Sequence, residues 1–222
     1  MDPLAGTPWS APRTVDGFVK GEPNQRLLAY AEQVRARGGR VALDIGCGAA
    51  RNAVPLAERG WHVLATDLSW AMLEAARTRA STGGTRHSLL LAHAPMDALP
   101  VRTASVDLVV AHGIWNLATS DASFRTAVRD AARVLRPGGS LFVFTFSRHT
   151  LRPDASPLEG QALTFTQFSG QPQIFLTAPQ LHAELASAGF QADPGLPLVE
   201  HNAPSARSVM VAGGGPVIYE GG

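Results

Sequence analysis

Apolar and polar positions along this chain follow two rhythms that take turns. Leu27, Leu28, Ala31 and Val34 recur at helical spacing, which predicts a helix over 23–37 that Gly38-Gly39 stops. A short apolar run at 40–45 then reads as a strand, followed by a helix over 52–59 with Ala53, Leu56 and Ala57 inward. The alternation continues with strands at 61–66, 89–94 and 106–111 and helices at 70–80 and 121–135. The last helix carries a stripe of Phe124, Ala127, Val128, Ala131 and Leu135. Pro137-Gly138-Gly139 predicts a turn into a fifth strand over 140–147.

Strands alternating with helices at this pitch imply a doubly wound α/β fold, with a mostly parallel sheet covered on both faces. Residues 1–22, rich in Pro, Gly and Thr, predict an irregular arm, so 1–39 form an N-terminal arm and helix. After Ser147 the rhythm breaks. Runs at 162–168 and 173–177 flank the turn-like Ser169-Gly170-Gln171-Pro172 and predict a hairpin within an insertion over 148–176. A helix over 178–188 capped by Thr177 follows, then two strands near 196–201 and 207–212, close enough to pair antiparallel. The whole, 1–222, is expected to be a single domain.

Composition narrows the class. Of 222 residues, 45% are hydrophobic and 17% charged, which is globular rather than disordered. Nineteen basic residues against eighteen acidic ones leave a net charge of +1, with no basic footprint for nucleic acid or a membrane surface. Cys47 is the single cysteine, which excludes an internal disulfide and a cysteine metal cage; no metal is expected. The N-terminus lacks the pattern of a secretory signal and no apolar run reaches spanning length, so a cytoplasmic location is expected.

Chemistry concentrates at the predicted carboxyl ends of the strands, where open α/β sheets bind ligands. The first strand ends in Asp44 and opens into Gly46-Cys47-Gly48-Ala49-Ala50-Arg51, a turn whose glycines let a ligand approach the backbone. A carboxylate there suits an ammonium group and is misplaced beneath a pyrophosphate. Asp67, ending the second strand before Leu68, suits both hydroxyls of a ribose. After the third strand, Met96-Asp97-Ala98 offers a carboxylate to an adenine amine and an N–H to a ring nitrogen.

This ordered set resembles the class I S-adenosylmethionine-dependent methyltransferases. Their first motif, an acidic residue followed by Gly-x-Gly-x-Gly, is matched by Asp44-Ile45-Gly46-Cys47-Gly48-Ala49-Ala50, with alanine in place of the third glycine. From that alanine, tighter helix packing is expected. Asp67 and Asp97 match the family's ribose-side and adenine-side acids. Ser105-Val106-Asp107-Leu108-Val109-Val110 and Arg133-Val134-Leu135-Arg136-Pro137-Gly138-Gly139 resemble its later motifs. The resemblance implies a Rossmann-like sheet of seven strands with an antiparallel C-terminal hairpin. It also implies S-adenosylmethionine as methyl donor, with S-adenosylhomocysteine as product.

The histidines carry competing readings. His112, at the end of the fourth strand, is either the base for a methyl acceptor or a lining residue of the cofactor site; His149, the second candidate base, and Arg148, expected to bind the substrate, leave the fifth strand at the same edge. Trp115 and Asn116 are expected on the acceptor side. Cys47 reads as small filler in the glycine turn, and Asp107 as a carboxylate for backbone hydrogen bonds. The Asn/Asp-Pro-Pro-aromatic signature of many nucleic-acid and protein amino-methylating enzymes is missing after strand four, which points to a small-molecule acceptor. Two rivals stand beside this reading. A catalytically silent cofactor-binding sensor or scaffold shares its features, whereas a nicotinamide-dependent oxidoreductase requires a glycine where Arg51 stands.

Overall fold

Ala42 through Ile45 are all buried, as expected of a strand covered on both faces, and strand β1 (Val41–Ile45) lies inside the sheet. The computed structural model describes residues 3–82, 85, 87–202 and 217–222. In it, β1 pairs in parallel with β2 (His62–Asp67) and with β4 (Val106–His112), and β2 pairs in parallel with β3 (Leu89–His93). With β5 (Leu135–Phe146), β8 (Val199–His201) and β9 (Ile218–Gly221), the strand order is β3-β2-β1-β4-β5-β9-β8. The expected mostly parallel seven-stranded sheet is therefore present.

The described residues form two compact units, one of 3–112 and 133–141, the other of 113–132, 142–202 and 217–222; β5 contributes to both. In the first unit, helix α2 (Gln25–Ala36) begins at Asn24, whose Oδ1 accepts the Leu27 N–H at 3.0 Å. Helix α3 (Ala53–Glu58) follows β1, and α4 (Trp70–Thr82) follows β2, its first turn capped by the Ser69 hydroxyl. Asp107 accepts the backbone N–H groups of Arg40 and Val41 at 2.8 and 2.9 Å and pairs with Arg136 at 2.6 Å. Burial raises its pKa, but these bonds outweigh that and hold it below the usual carboxylate range. The structural reading of Asp107 is thus correct.

Two expectations need correction, and a third gains a detail. The arm is not irregular: a 3₁₀ turn at Pro8–Ser10 leads into helix α1 (Pro12–Lys20), with proline at its start and Val15, Phe18 and Val19 along one face. Pro137-Gly138-Gly139 lies within the run of β5, which starts at Leu135, with Gly138 at φ +75°. Ala50 is fully buried, and its φ of +57° is one that glycine would adopt with less strain.

In the second unit, β9 runs antiparallel to both β5 and β8, which gives the expected antiparallel pair. Its second strand is Ile218–Gly221; the run at 207–212 lies outside the described residues. Helix α5 (Asp121–Val134) spans both units, and helix α6 (Ala178–Ser187) opens with a full capping box between Thr177 and Gln180. The insertion holds a two-stranded antiparallel hairpin, β6 (Thr164–Phe165) and β7 (Gln173–Ile174). It is seated on the end of β5, where Phe146 meets the rings of Phe168 and Phe175 at 5.3 and 5.6 Å between centroids. Asp121 pins it by accepting from the Ala162 and Leu163 N–H groups and the Thr164 hydroxyl. Among the described residues, no helix is long and apolar enough to cross a membrane.

Candidate active site

Parallel pairing brings the ends of β1 to β4 to one edge of the first unit: Ile45 is in register with Thr66 and Ala111, and Asp67 with His93. Asp44 stands there 2% exposed, with no hydrogen-bond partner on Oδ2 among the described residues. Burial pushes its pKa up to about 7, against the pull of Arg51 and with the help of Asp67. Gly46 and Gly48 take φ +66° and +54°, so the loop turns through conformations that glycine adopts without strain. Asp67 Oδ2 accepts the Gly48 N–H at 2.9 Å and Oδ1 accepts the Ser69 N–H at 2.8 Å. Its pKa is raised by burial, which these backbone bonds only partly offset.

Arg51 links the loop to β4. Its Nη2 donates to His112 Nδ1 at 3.3 Å, while Asn24 Nδ2 lies 3.1 Å from His112 Nε2. A guanidinium can only donate, so His112 keeps a lone pair on Nδ1 in this contact. Asn24 also donates its backbone N–H to Asn52 Oδ1 at 3.0 Å, tying the start of α2 to the glycine loop. Asn24 was missed from the sequence, although an Asn just before a helical stripe is an N-cap signal. Cys47 is buried and donates its N–H to the Thr66 carbonyl, and burial raises its thiol pKa well above the usual value, which suits an inert filler.

The arm covers this loop. The Phe18 ring lies so close to Gly48 that a Cβ there would meet its Cδ1 at 2.7 Å, and Trp9 packs edge-on to Phe18. The Trp9 carbonyl accepts from the Ser69 hydroxyl at 3.2 Å. Beyond β2, Leu68 is half-buried, and its carbonyl lies 2.9 Å from His93 Nε2. Trp70 stacks on the His93 ring at 4.5 Å and stays 53% exposed. Met96 and Asp97 are half-buried and Ala98 is exposed, in the turn after β3.

The residues expected on the acceptor side, Trp115, Asn116, Arg148 and His149, belong to the second unit. Trp115 is fully buried against Phe124, and neither its indole N–H nor Asn116 Oδ1, also buried, has a partner within the described residues. Arg148 donates to the carbonyls of Arg152 and Ala155 and lies 4.9 Å over the Phe165 ring, so it is engaged in packing the insertion. His149 Nδ1 lies 2.8 Å from Glu200 Oε1. Glu200 had no signal in the sequence, because its place follows from the pairing of β8 with β9.

Residues 42–139 match the family described as the methyltransferase domain. The malonyl-[acyl-carrier protein] O-methyltransferase of Xylella fastidiosa is 34% identical over 185 residues, which cover 79% of this chain and 57% of that protein. The tRNA 5-carboxymethoxyuridine methyltransferase of Escherichia coli K12 is 32% identical over 145 residues, covering 63% and 54%. The chain thus spans a little over half the length of these curated relatives. The structure of the Burkholderia thailandensis 1,6-didemethyltoxoflavin-N1-methyltransferase, solved with 1,6-didemethyltoxoflavin and S-adenosylhomocysteine bound, superposes with a TM-score of 0.59. It is 20% identical, with 89% of this chain and 77% of that one covered. Through residues 42–139 the chain belongs to the class I S-adenosylmethionine-dependent methyltransferases.

Proposed function

We propose that this protein transfers a methyl group from S-adenosylmethionine to a small-molecule acceptor. The observation that carries the reading is Asp44: a buried carboxylate with one oxygen unpaired among the described residues, at a strand end beside a glycine turn. Such an oxygen fits a donor-bearing cation, and the α-ammonium of S-adenosylmethionine is one. Asp67 keeps lone pairs beyond its two backbone bonds, enough for ribose hydroxyls. Asp97 would take the adenine amine, with Met96, Ala98 and Leu68 around the base and ribose. Arg51 and His112 would close the site beside the loop. The bound donor supplies an activated methyl on a sulfonium, so the chain's own residues have to align the partners and exclude water.

A small acceptor is favoured over nucleic acid by the near-neutral charge, although one relative is a tRNA methyltransferase. Residues 148–176, seated on the end of β5, are proposed to line the acceptor side, with Trp115, Asn116, Arg148 and His149 as contributors. The test is calorimetry with S-adenosylhomocysteine, then a panel of small acceptors scored for S-adenosylhomocysteine release. Binding without release from any acceptor, small or RNA, would favour a silent sensor; absence of binding would end the reading.

A further inference from the structure

A cleft of about 440 Å³ lies wholly within the first unit, where the end of α1 and its link to α2 meet α3 and α4. Five charged side chains line it: Lys20, Glu22, Arg51, Glu58 and Arg79. Burial sorts them by sign. Arg51 and Arg79 are half-buried, whereas Lys20, Glu22 and Glu58 stand exposed. Solvent screens exposed charges far more than half-buried ones, so the two guanidinium groups dominate the inside of the cleft.

Both guanidiniums keep donors in reserve. Arg79 spends only its Nη2, on the carbonyls of Val19 and Gly21 at the end of α1, and Arg51 spends only its Nη2, on His112. Among the described residues, Nε and Nη1 of neither arginine have an acceptor, and neither side chain forms a salt bridge. The two charges flank one stretch of backbone. A Cβ on Gly21 would meet Arg51 Cδ at 3.3 Å, while the Gly21 carbonyl takes Arg79 Nη2 at 3.4 Å. Burial lowers the Arg51 pKa, Asp44 opposes that, and repulsion from Arg79 adds to it. An oxyanion between the two would relieve the repulsion and accept charge-assisted bonds from both. A neutral ligand would leave the repulsion in place, and a cation would add to it.

We propose that this cleft binds a phosphate-type oxyanion, held by Arg51 and Arg79 with Lys20 at the rim. The cleft is larger than the bare ion, so a small phosphate-bearing molecule also fits. Bound there, the anion ties the arm to the glycine turn through Arg51 and to α4 through Arg79. It thereby holds α1 in the position where Phe18 covers Gly48. The inference stands on the first unit alone and is independent of which molecule accepts a methyl group.

The test is calorimetry of inorganic phosphate and of glycerol 3-phosphate on the full chain, with sodium chloride at matched ionic strength as the reference. Saturable binding is expected for both, and the tighter of the two tells a phosphate-bearing molecule from free phosphate as the occupant. Arg79→Gln should weaken binding about tenfold or more. That change also removes a cap from α1, so Glu58→Gln supplies a variant of opposite sign. Taking an exposed carboxylate out of the cleft should tighten phosphate a few fold, which a loss of folding cannot imitate. Trypsin should also cut after Lys20 more slowly in phosphate than in chloride, measured against its cutting after the exposed Arg152. Heats no greater than those of chloride, or one phosphate affinity shared by wild type, Arg79→Gln and Glu58→Gln, overturn the proposal.

Discussion

The Asp67 carboxylate holds the Gly48 N–H at 2.9 Å, so the end of β2 fixes the backbone of the glycine turn that follows β1. A single side chain thereby shapes the loop and is also assigned to the ribose. Asp67→Ala removes both functions. S-adenosylhomocysteine affinity should fall by about 2–4 kcal/mol, roughly 30-fold or more. Asp67→Asn can still accept one backbone N–H, and its loss should be smaller. Calorimetry on the pair separates the two roles; equal affinity in wild type and Asp67→Ala would remove the ribose assignment.

Gly48 and Phe18 give a second prediction. A side chain at Gly48 would sit at φ +54° with its Cβ 2.7 Å from Phe18 Cδ1. Gly48→Ala should therefore lose about 1–2 kcal/mol to backbone strain, with a further loss from displacing the ring. Adding Phe18→Ala should restore the second part and leave the first. Thermal melts of the two single variants and the double variant measure this coupling, and strictly additive effects would show that Phe18 does not rest on the loop.

The residues proposed for the cofactor stand out because they are written in local sequence. A strand ending Asp44-Ile45, glycines at 46 and 48, and carboxylates at 67 and 97 follow one another in chain order, and parallel pairing brings the strand ends to one edge. The same holds for α6, which its Thr177–Gln180 box announces. What escaped depends on partners distant in sequence. Glu200 acquires meaning only when β8 pairs with β9 and meets Ser147 and His149. Helix α1 escaped because Pro12 and Gly17 read as loop, whereas Phe18 gains its place from packing on Gly48. The burial of Trp115 against Phe124 likewise rests on a contact that no short-range pattern encodes.

Ala50 gives a third prediction. A buried alanine at φ +57° carries strain of about 1–2 kcal/mol that glycine would not, while glycine loses about 0.4–1 kcal/mol through its freer unfolded chain. Ala50→Gly should therefore leave the protein equal or up to about 1 kcal/mol more stable, a Tm rise of roughly 2–4 °C at most for this size. A clear fall in Tm would mean that the Ala50 methyl packs for more than its backbone costs.

Asp44 gives the last prediction, in which protonation, stability and binding are linked. Its folded pKa is pushed up to about 7 from an ordinary 3.8, because burial disfavours the anion. The folded state thus binds a proton that the unfolded state has released. The resulting stability is fully present below the ordinary value and is lost as pH rises through the folded one, so it declines between about pH 4 and 7. Three units correspond to about 4 kcal/mol as an upper bound for this buried group. A bound ammonium reverses the preference, since it favours the ionised carboxylate. S-adenosylhomocysteine affinity should rise as pH goes from about 5 to 8, with proton release that calorimetry in buffers of different ionisation enthalpy detects. Asp44→Asn should flatten both dependences, stabilise the free protein at pH 8 and weaken the ligand there. If affinity in wild type were as independent of pH as in Asp44→Asn, the ammonium would have to lie elsewhere.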